Sequence, residues 1–278
     1  MKIKNPPLIT LTTDFGDRDG FVGAMEGVIL SLLPDARVVD VSHQIPRQDI
    51  AAGALVIAGV FEYFPLGSIH VVVVDPGVGT ARSAMVARTA RGMLVLPDNG
   101  LITLVARRFP ILAAHVIENP AYGLPVVSHT FHGRDVFAPA AAHLALGVPL
   151  SQFGRPLAAP VRLNWETPSR VEAGLAGKVV YCDVFGNVLL NFEASRLTLP
   201  GRYRLLFKGR ALEGPRTTYA SVARGDALFL IGSHGYLEIA VNGGSARERL
   251  GLEIGDPVLL EIPVGKQKPP GDRRKNGD

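Results

Sequence analysis

The segment VVVVDPGVGTAR (residues 71–82) gives the clearest indication of the fold class. Four consecutive valines are typical of a strand that is buried on both faces, as in the parallel sheets of α/β proteins. A carboxylate, Asp75, follows in a turn rich in proline and glycine, and Arg82 comes seven residues later. Because ligands bind outside the carboxyl ends of strands in open α/β sheets, this turn is the first candidate for a functional site.

The sequence on both sides of this segment alternates between strand-like and helix-like stretches. Strands are predicted at 8–14, 36–42, 68–75, 83–88 and 93–97. Helices are predicted at 21–33, at 49–64 with Asp49 as the cap, and from Arg134 to about Leu146. The alternation indicates a doubly wound, mostly parallel α/β domain over residues 1–157.

The pattern changes after this domain. Residues 158–173 are rich in proline and have little periodicity, so we interpret them as a linker. Short apolar runs separated by turn residues follow, and strands are predicted at 177–183, 187–192, 202–207, 226–232, 236–241 and 256–262. We therefore predict a smaller β-barrel domain over residues 174–265 and a disordered tail over residues 266–278.

Composition excludes several classes of protein. Of the 278 residues, 47% are hydrophobic and 19% are charged, which is typical of a globular protein. No apolar run approaches the roughly 18 residues of a membrane span, and the N-terminus does not resemble a secretory signal. Cys182 is the only cysteine, which argues against a disulfide framework and favours the cytoplasm. The net charge of +4 comes mostly from residues 266–278, so we expect no nucleic-acid partner.

Polar residues follow the predicted strands of the first domain. Asp14 and Asp75 come at the ends of two strands and are expected on neighbouring loops over one crevice. His132 precedes the third helix, where a helix N-terminus disfavours the imidazolium. A turn-forming role for Asp75, and a capping or packing role for His132, remain open alternatives. His43 and His129 are interpreted as structural, and the lack of paired His or Asp ligands at close spacing predicts no metal site.

Two loops of the second half, DVFGN (183–187) and GSHGYLEIAVNGGSA (232–246), contain many Gly and Asn residues. Hairpin turns explain much of this composition. The pairing of Asp183 with Asn187 and the polar residues before an apolar strand are also compatible with ligand contacts, so both interpretations stay open.

Taken together, the chain resembles the S-adenosyl-L-methionine hydroxide adenosyltransferases, a family similar to the fluorinating and chlorinating enzymes. The resemblance extends from about residue 8 to residue 262. Seven motifs carry it in order: TTDFG (12–16), SHQIPRQDI (42–50), VDPGVGTAR (74–82), PDNGL (97–101), TFHGRDVFAPAAA (130–142), DVFGN (183–187) and GYLEIAVNGGSA (235–246).

The resemblance implies a catalytic set of Asp75, Arg82 and His132 that holds and polarises a water molecule. It implies that Asp14 receives the ribose hydroxyls. In the second half it implies that Asp183 binds the methionine ammonium, Asn187 the adenine and Ser233 the methionine carboxylate. His234 stands where the family often has Arg or Ser.

The implied function is hydrolysis of S-adenosyl-L-methionine at C5′ to adenosine and L-methionine, with no cofactor. An aspartate at position 75 favours hydroxide over halide, because the halogenating relatives lack it. The alternatives are a halogenase and a non-catalytic nucleoside-binding protein. The resemblance also implies a homotrimer with sites at subunit interfaces.

Overall fold

The computed structural model describes residues 8–197 and 203–261. The chain forms two compact units that divide between Trp165 and Glu166. This division lies inside the segment interpreted as a linker, and Ser169–Val171 of that segment forms a short strand of the second unit. The predicted tail over residues 266–278 lies outside the described residues.

The first unit is built on a six-stranded sheet. Strands β1 to β6 are Ile9–Thr13, Val38–Ser42, Ile69–Val73, Ala84–Thr89, Met93–Pro97 and Ile111–Val116. Helices α1 to α4 are Phe21–Leu32, Ile50–Val60, Thr103–Arg108 and Ala138–Ala145. The strand order is β2-β1-β3-β5-β4-β6; β2, β1, β3 and β5 are parallel, and β4 is antiparallel to both neighbours. The predicted mostly parallel α/β architecture is confirmed.

Strands β1 and β3 are buried along their whole length, as expected for strands that are covered on both faces. Leu11 shares one core cluster with Met25 of α1 and with residues of α4. Helix α2 packs through Gly53, where a Cβ would lie only 3.0 Å from Cγ2 of Val74. Small residues therefore allow α2 to lie close to the sheet.

Several local features refine the prediction. The side chain of Asp49 accepts a hydrogen bond from the Ala52 N–H at 2.9 Å, which confirms this cap of α2. The predicted helix at Arg134 begins instead as a π-helical turn, Gly133–Phe137, which continues into α4. The sequence did not predict α3 and β6.

The second unit is an antiparallel, nearly closed barrel. Strands β7 to β14 are Ser169–Val171, Gly174–Cys182, Val188–Glu193, Tyr203–Phe207, Arg210–Gly214, Ala227–Ile231, Tyr236–Val241 and Pro257–Glu261, and helix α5 is Ala246–Leu250. The order is β11-β10-β14-β8-β9-β13-β12, with β7 beside β8. A bridge between Arg216 and Leu230 brings the two ends of this order together. The predicted barrel is confirmed, whereas β7, β11 and α5 were not predicted.

Candidate active site

The strand order of the first unit places two acidic residues at adjacent strand ends. Strands β1 and β3 are parallel neighbours, and Thr13 pairs with Val73. Asp14 follows the first of these residues directly, and Asp75 lies two positions beyond the second. The chain connects β1 to β2 on one side, while β3 lies on the other, so these ends mark the topological switch point of the sheet.

Asp75, Arg82 and His132 form one connected group at this edge. Arg82 donates from Nε to Oδ1 of Asp75 at 2.9 Å and from Nη2 to Oδ2 at 2.5 Å. The same Nη2 lies 2.7 Å from Nδ1 of His132. The side chains of Asp75 and Arg82 are 4% and 11% exposed. Bidentate pairing is the strongest geometry for a guanidinium and a carboxylate, and it satisfies charges that burial would otherwise destabilise.

The bond from Arg82 determines the form of His132. A guanidinium can only donate, so Nδ1 of His132 must accept, and the neutral imidazole then has its proton on Nε2. Burial and, second, the positive charge of Arg82 lower the pKa of His132, although Asp75 and Asp135 oppose this. The sequence predicted a neutral histidine from the helix N-terminus; the lowered pKa agrees in direction, but its causes are burial and Arg82.

A buried carboxylate fixes the segment that carries His132. Asp135 is fully buried, and it accepts hydrogen bonds from Arg134 Nε at 2.6 Å and from the Ser128 N–H at 2.8 Å. Burial raises the pKa of Asp135, but these bonds outweigh burial and bring it below its usual value. The carboxylate therefore holds the loop before His132 against the π-helical turn.

The loop that carries Asp14 is fixed by the loop after β2. Oδ2 of Asp14 accepts the Gln48 N–H at 2.7 Å, and the carbonyl of His43 accepts the Gly16 N–H at 2.8 Å. Nδ1 of the buried His43 lies 2.8 Å from Oγ1 of Thr13. His43 thus has the structural role that the sequence analysis gave it, and one oxygen of Asp14 is held in place by the backbone.

In the second unit, Asp183 and Asn187 contact each other. Oδ1 of Asp183 accepts the N–H groups of Phe185 at 2.9 Å and Asn187 at 2.8 Å, and Oδ2 accepts Nδ2 of Asn187 at 2.9 Å. The pairing of these two residues therefore stabilises their own hairpin loop, which was one of the two interpretations left open. Asn187 is buried, and its amide oxygen is the group that these bonds leave available.

A cavity of about 600 Å³ adjoins this loop. Its lining includes two aromatic side chains, Phe185 and Tyr219, together with Asn187 and the glycine-rich segment 243–245. Phe185 is 74% exposed, so its ring is available to a ligand. Ser233 and His234 are exposed in the turn between β12 and β13. Of the lining residues, the sequence predicted Asn187 but not Tyr219, which no motif indicated.

The described part of the chain contains neither a metal-binding cluster nor a membrane-spanning helix. Within residues 8–197 and 203–261, no group of three or more His, Cys, Asp or Glu side chains is placed to hold a metal ion. No helix in these ranges combines the length and hydropathy that crossing a bilayer requires.

Two family profiles match the chain. The profile described as the SAM hydroxide adenosyltransferase N-terminal domain matches residues 9–154. The profile for the C-terminal domain of the same family matches residues 177–259. These two ranges together cover most of the chain, and the motifs of both units lie within them.

Individual proteins are similar to this chain over nearly their whole length. An (R)-S-adenosyl-L-methionine hydrolase of Salinispora tropica is 42% identical, over 91% of this chain and 97% of the relative. A fluorinase of Actinoplanes sp. is 29% identical, over 94% of this chain and 99% of the relative. A crystal structure of a conserved protein from Thermotoga maritima superposes with a TM-score of 0.84 at 33% identity, over 92% of this chain and all of that chain. The hydrolase is thus more similar to this chain than the fluorinase is.

Proposed function

The chain belongs to the SAM hydroxide adenosyltransferase family, and we propose on that premise that it hydrolyses S-adenosyl-L-methionine at C5′ to adenosine and L-methionine. The observation that carries the proposal is the buried Asp75–Arg82 pair in contact with a neutral His132 at the switch point of the sheet. The hydrolases among the relatives are also more similar to the chain than the fluorinases are.

The chemistry requires help for the nucleophile rather than for the leaving group. Methionine leaves a sulfonium as a neutral thioether and needs no proton donor. Water is a poor nucleophile because its pKa is about 15.7. A fixed positive charge beside the water stabilises developing hydroxide, and a carboxylate that accepts a proton assists the attack.

The geometry supports a division of roles among the three residues. Arg82 supplies the positive charge and fixes the other two side chains. Because Nδ1 of His132 accepts from Arg82, the Nε2–H is a donor that can orient the water oxygen. Asp75 remains as the proton acceptor, since each of its oxygens has a second lone pair. We therefore assign proton transfer to Asp75 and water orientation to His132.

Substrate recognition would use the other predicted residues. Asp14 offers Oδ1 to the ribose hydroxyls while the Gln48 N–H holds Oδ2. In the second unit, Oδ2 of Asp183 can accept one further bond, from an ammonium, and the amide oxygen of Asn187 can accept from the adenine amino group. We propose the cavity beside Asn187 as the adenine pocket and retain Ser233 for the methionine carboxylate.

Product analysis tests the proposed reaction. The purified protein is incubated with S-adenosyl-L-methionine in ¹⁸O-labelled water with excess chloride. We expect adenosine labelled at its 5′ oxygen and L-methionine, detected by chromatography and mass spectrometry. The names of the relatives specify the (R) epimer, so the (R) and (S) epimers are assayed separately and we expect the (R) epimer to react faster. A 5′-halogenated nucleoside would instead show a halogenase, and binding without turnover would show a nucleoside-binding protein.

We further propose a homotrimer with sites at subunit interfaces. The family resemblance implies it, and the candidate ligand residues are divided between the two units: Asp14 and Asp75 in the first, Asp183 and Ser233 in the second. An active monomer in light scattering at the assay concentration would contradict this. We also propose that the enzyme works in the cytoplasm and needs neither cofactor nor nucleic acid.

A further inference from the structure

A buried glutamate of the second unit has no role in the reaction described above. Glu238 lies at the centre of β13, paired with Leu189 of β9 and Leu230 of β12. The residue is only 5% exposed, and it has no ion pair with any described Lys or Arg. Burying a carboxylate among leucines is unfavourable, so its hydrogen-bond partner is informative.

That partner is Tyr219, whose hydroxyl donates to Oε1 of Glu238 at 2.9 Å. Tyr219 begins a 3₁₀ turn that Thr218 and Ser221 close as a capping box. This turn holds the backbone of Tyr219, and the bond to Glu238 fixes the far end of its side chain. The ring between these two anchors forms part of the wall of the cavity beside Asn187.

The surroundings of the pair favour this single hydrogen bond. A Cβ at Gly232 would lie 2.6 Å from Oε2 of Glu238, so the glycine leaves the space that the carboxylate occupies. Burial and the bond to Glu238 raise the pKa of Tyr219 to about 12, and Asp183 contributes in the same direction. Tyr219 therefore remains a donor at neutral pH. Burial also raises the pKa of Glu238, and Asp183 raises it further, while the bond from Tyr219 lowers it.

We propose that Glu238 is a positioning residue for the adenine pocket, because it holds the hydroxyl of Tyr219 and thereby sets the orientation of the ring that lines the cavity. The inference rests on the proposed function, which makes this cavity the adenine pocket. It assigns Glu238 an effect on nucleoside affinity that is transmitted through Tyr219, without direct contact between Glu238 and the substrate.

Four variants test the inference by steady-state kinetics and by calorimetry with adenosine. Glu238→Leu removes the acceptor at similar volume, and we expect KM for the substrate and Kd for adenosine to rise about 10-fold, while kcat falls less than about threefold. Glu238→Gln keeps an acceptor oxygen, and both constants should stay within about threefold of wild type. Tyr219→Phe should raise both constants, and the double variant Glu238→Leu/Tyr219→Phe should be no worse than Glu238→Leu alone.

The controls separate this role from others. Glu213→Leu removes an exposed carboxylate from β11 and should change neither constant. Equal losses in Glu238→Gln and Glu238→Leu would overturn the inference, because the charge itself would then be required. Unchanged adenosine affinity in Tyr219→Phe would also overturn it. If the wild-type protein bound adenosine but did not hydrolyse the substrate, the proposed reaction would fail, while the adenosine titrations would still test Glu238.

Discussion

Gly79 packs so closely against the carbonyl oxygen of His129 that a Cβ on residue 79 would lie 2.3 Å from that oxygen. Its φ of +75° is also in the left-handed region that favours glycine. The contact joins the turn that carries Asp75 to the segment that carries His132. Gly79, the second glycine of DPGVG, therefore allows the two parts of the catalytic group to approach each other.

Replacement of Gly79 by alanine should lower both stability and turnover. Gly67 provides a matched control, because its φ is +83° and no atom lies within 4 Å of its Cβ position. Gly67→Ala should cost about 1 kcal/mol from the backbone conformation alone. Gly79→Ala should cost clearly more and should lower kcat. Denaturant unfolding measures the stability of the two variants, and steady-state kinetics measures kcat. Equal losses of stability in the two variants would contradict a steric role for the His129 carbonyl.

Replacement of Asp75, Arg82 or His132 by alanine should lower kcat on the order of 100-fold or more. Adenosine affinity should change much less, because these groups act on the water. Arg82→Lys should also lose most of the activity, since an ammonium cannot reproduce the bidentate bonds to Asp75. Arg88→Lys, an exposed change on β4, is the matched control. Loss of adenosine binding in Asp75→Ala would show that the roles are assigned wrongly.

Asp14→Ala should weaken adenosine binding about 10-fold or more, because a charged acceptor of hydroxyl groups is lost. The loss should be much smaller for 2′,3′-dideoxyadenosine, which lacks the hydroxyls in question. The control is Asp17→Ala in the same loop. The carboxylate of Asp17 accepts a hydrogen bond from Nε2 of Gln44 at 2.5 Å, and its loss should leave the affinity for adenosine near that of the wild type. Calorimetry with both nucleosides gives the comparison. Equal losses for the two nucleosides would exclude ribose recognition by Asp14.

His70 should make the free energy of unfolding depend on pH. Burial lowers the pKa of this histidine in β3 from 6.5 to about 4. Between these pH values the unfolded chain binds a proton that the folded chain does not, so stability rises with pH and is complete above pH 6.5. The free energy of unfolding should therefore be roughly 3 kcal/mol higher above pH 6.5 than below pH 4. His70→Gln should flatten the pH dependence of unfolding over this range; an unchanged slope would show that His70 does not cause it.

Much of the first unit could be predicted because its patterns are local. The valine run 71–74 predicted β3 and the segment LITLTTD (8–14) predicted β1, and the parallel arrangement then brought Asp14 and Asp75 to adjacent strand ends. The turn after β3 is also local, since the Val78 N–H bonds to the Asp75 carbonyl and reverses the chain towards Arg82. The roles of all the predicted site residues stay predictions: Asp75, Arg82 and His132 in catalysis, and Asp14, Asp183, Asn187 and Ser233 in substrate binding.

Other features depend on contacts between distant residues. Strand β11, Arg210–Gly214, is mostly exposed and lacks an apolar run, so only its pairing with β10 identifies it. The tautomer of His132 depends on Arg82, which is 50 residues away in sequence. Glu238 interrupts an apolar strand in the sequence, but its partner Tyr219 becomes evident only when the barrel is formed.

The pairing of Arg82 has a consequence for the ions around the enzyme. An active-site guanidinium with a free fork attracts small inorganic anions, which often inhibit enzymes by occupying it. Here the edge formed by Nε and Nη2 is already bonded to Asp75, and Nη2 also contacts His132, so an anion could bind this edge only by displacing a carboxylate that is 4% exposed. Nitrate and chloride should therefore not compete for this edge of Arg82, and we expect them to be weak inhibitors.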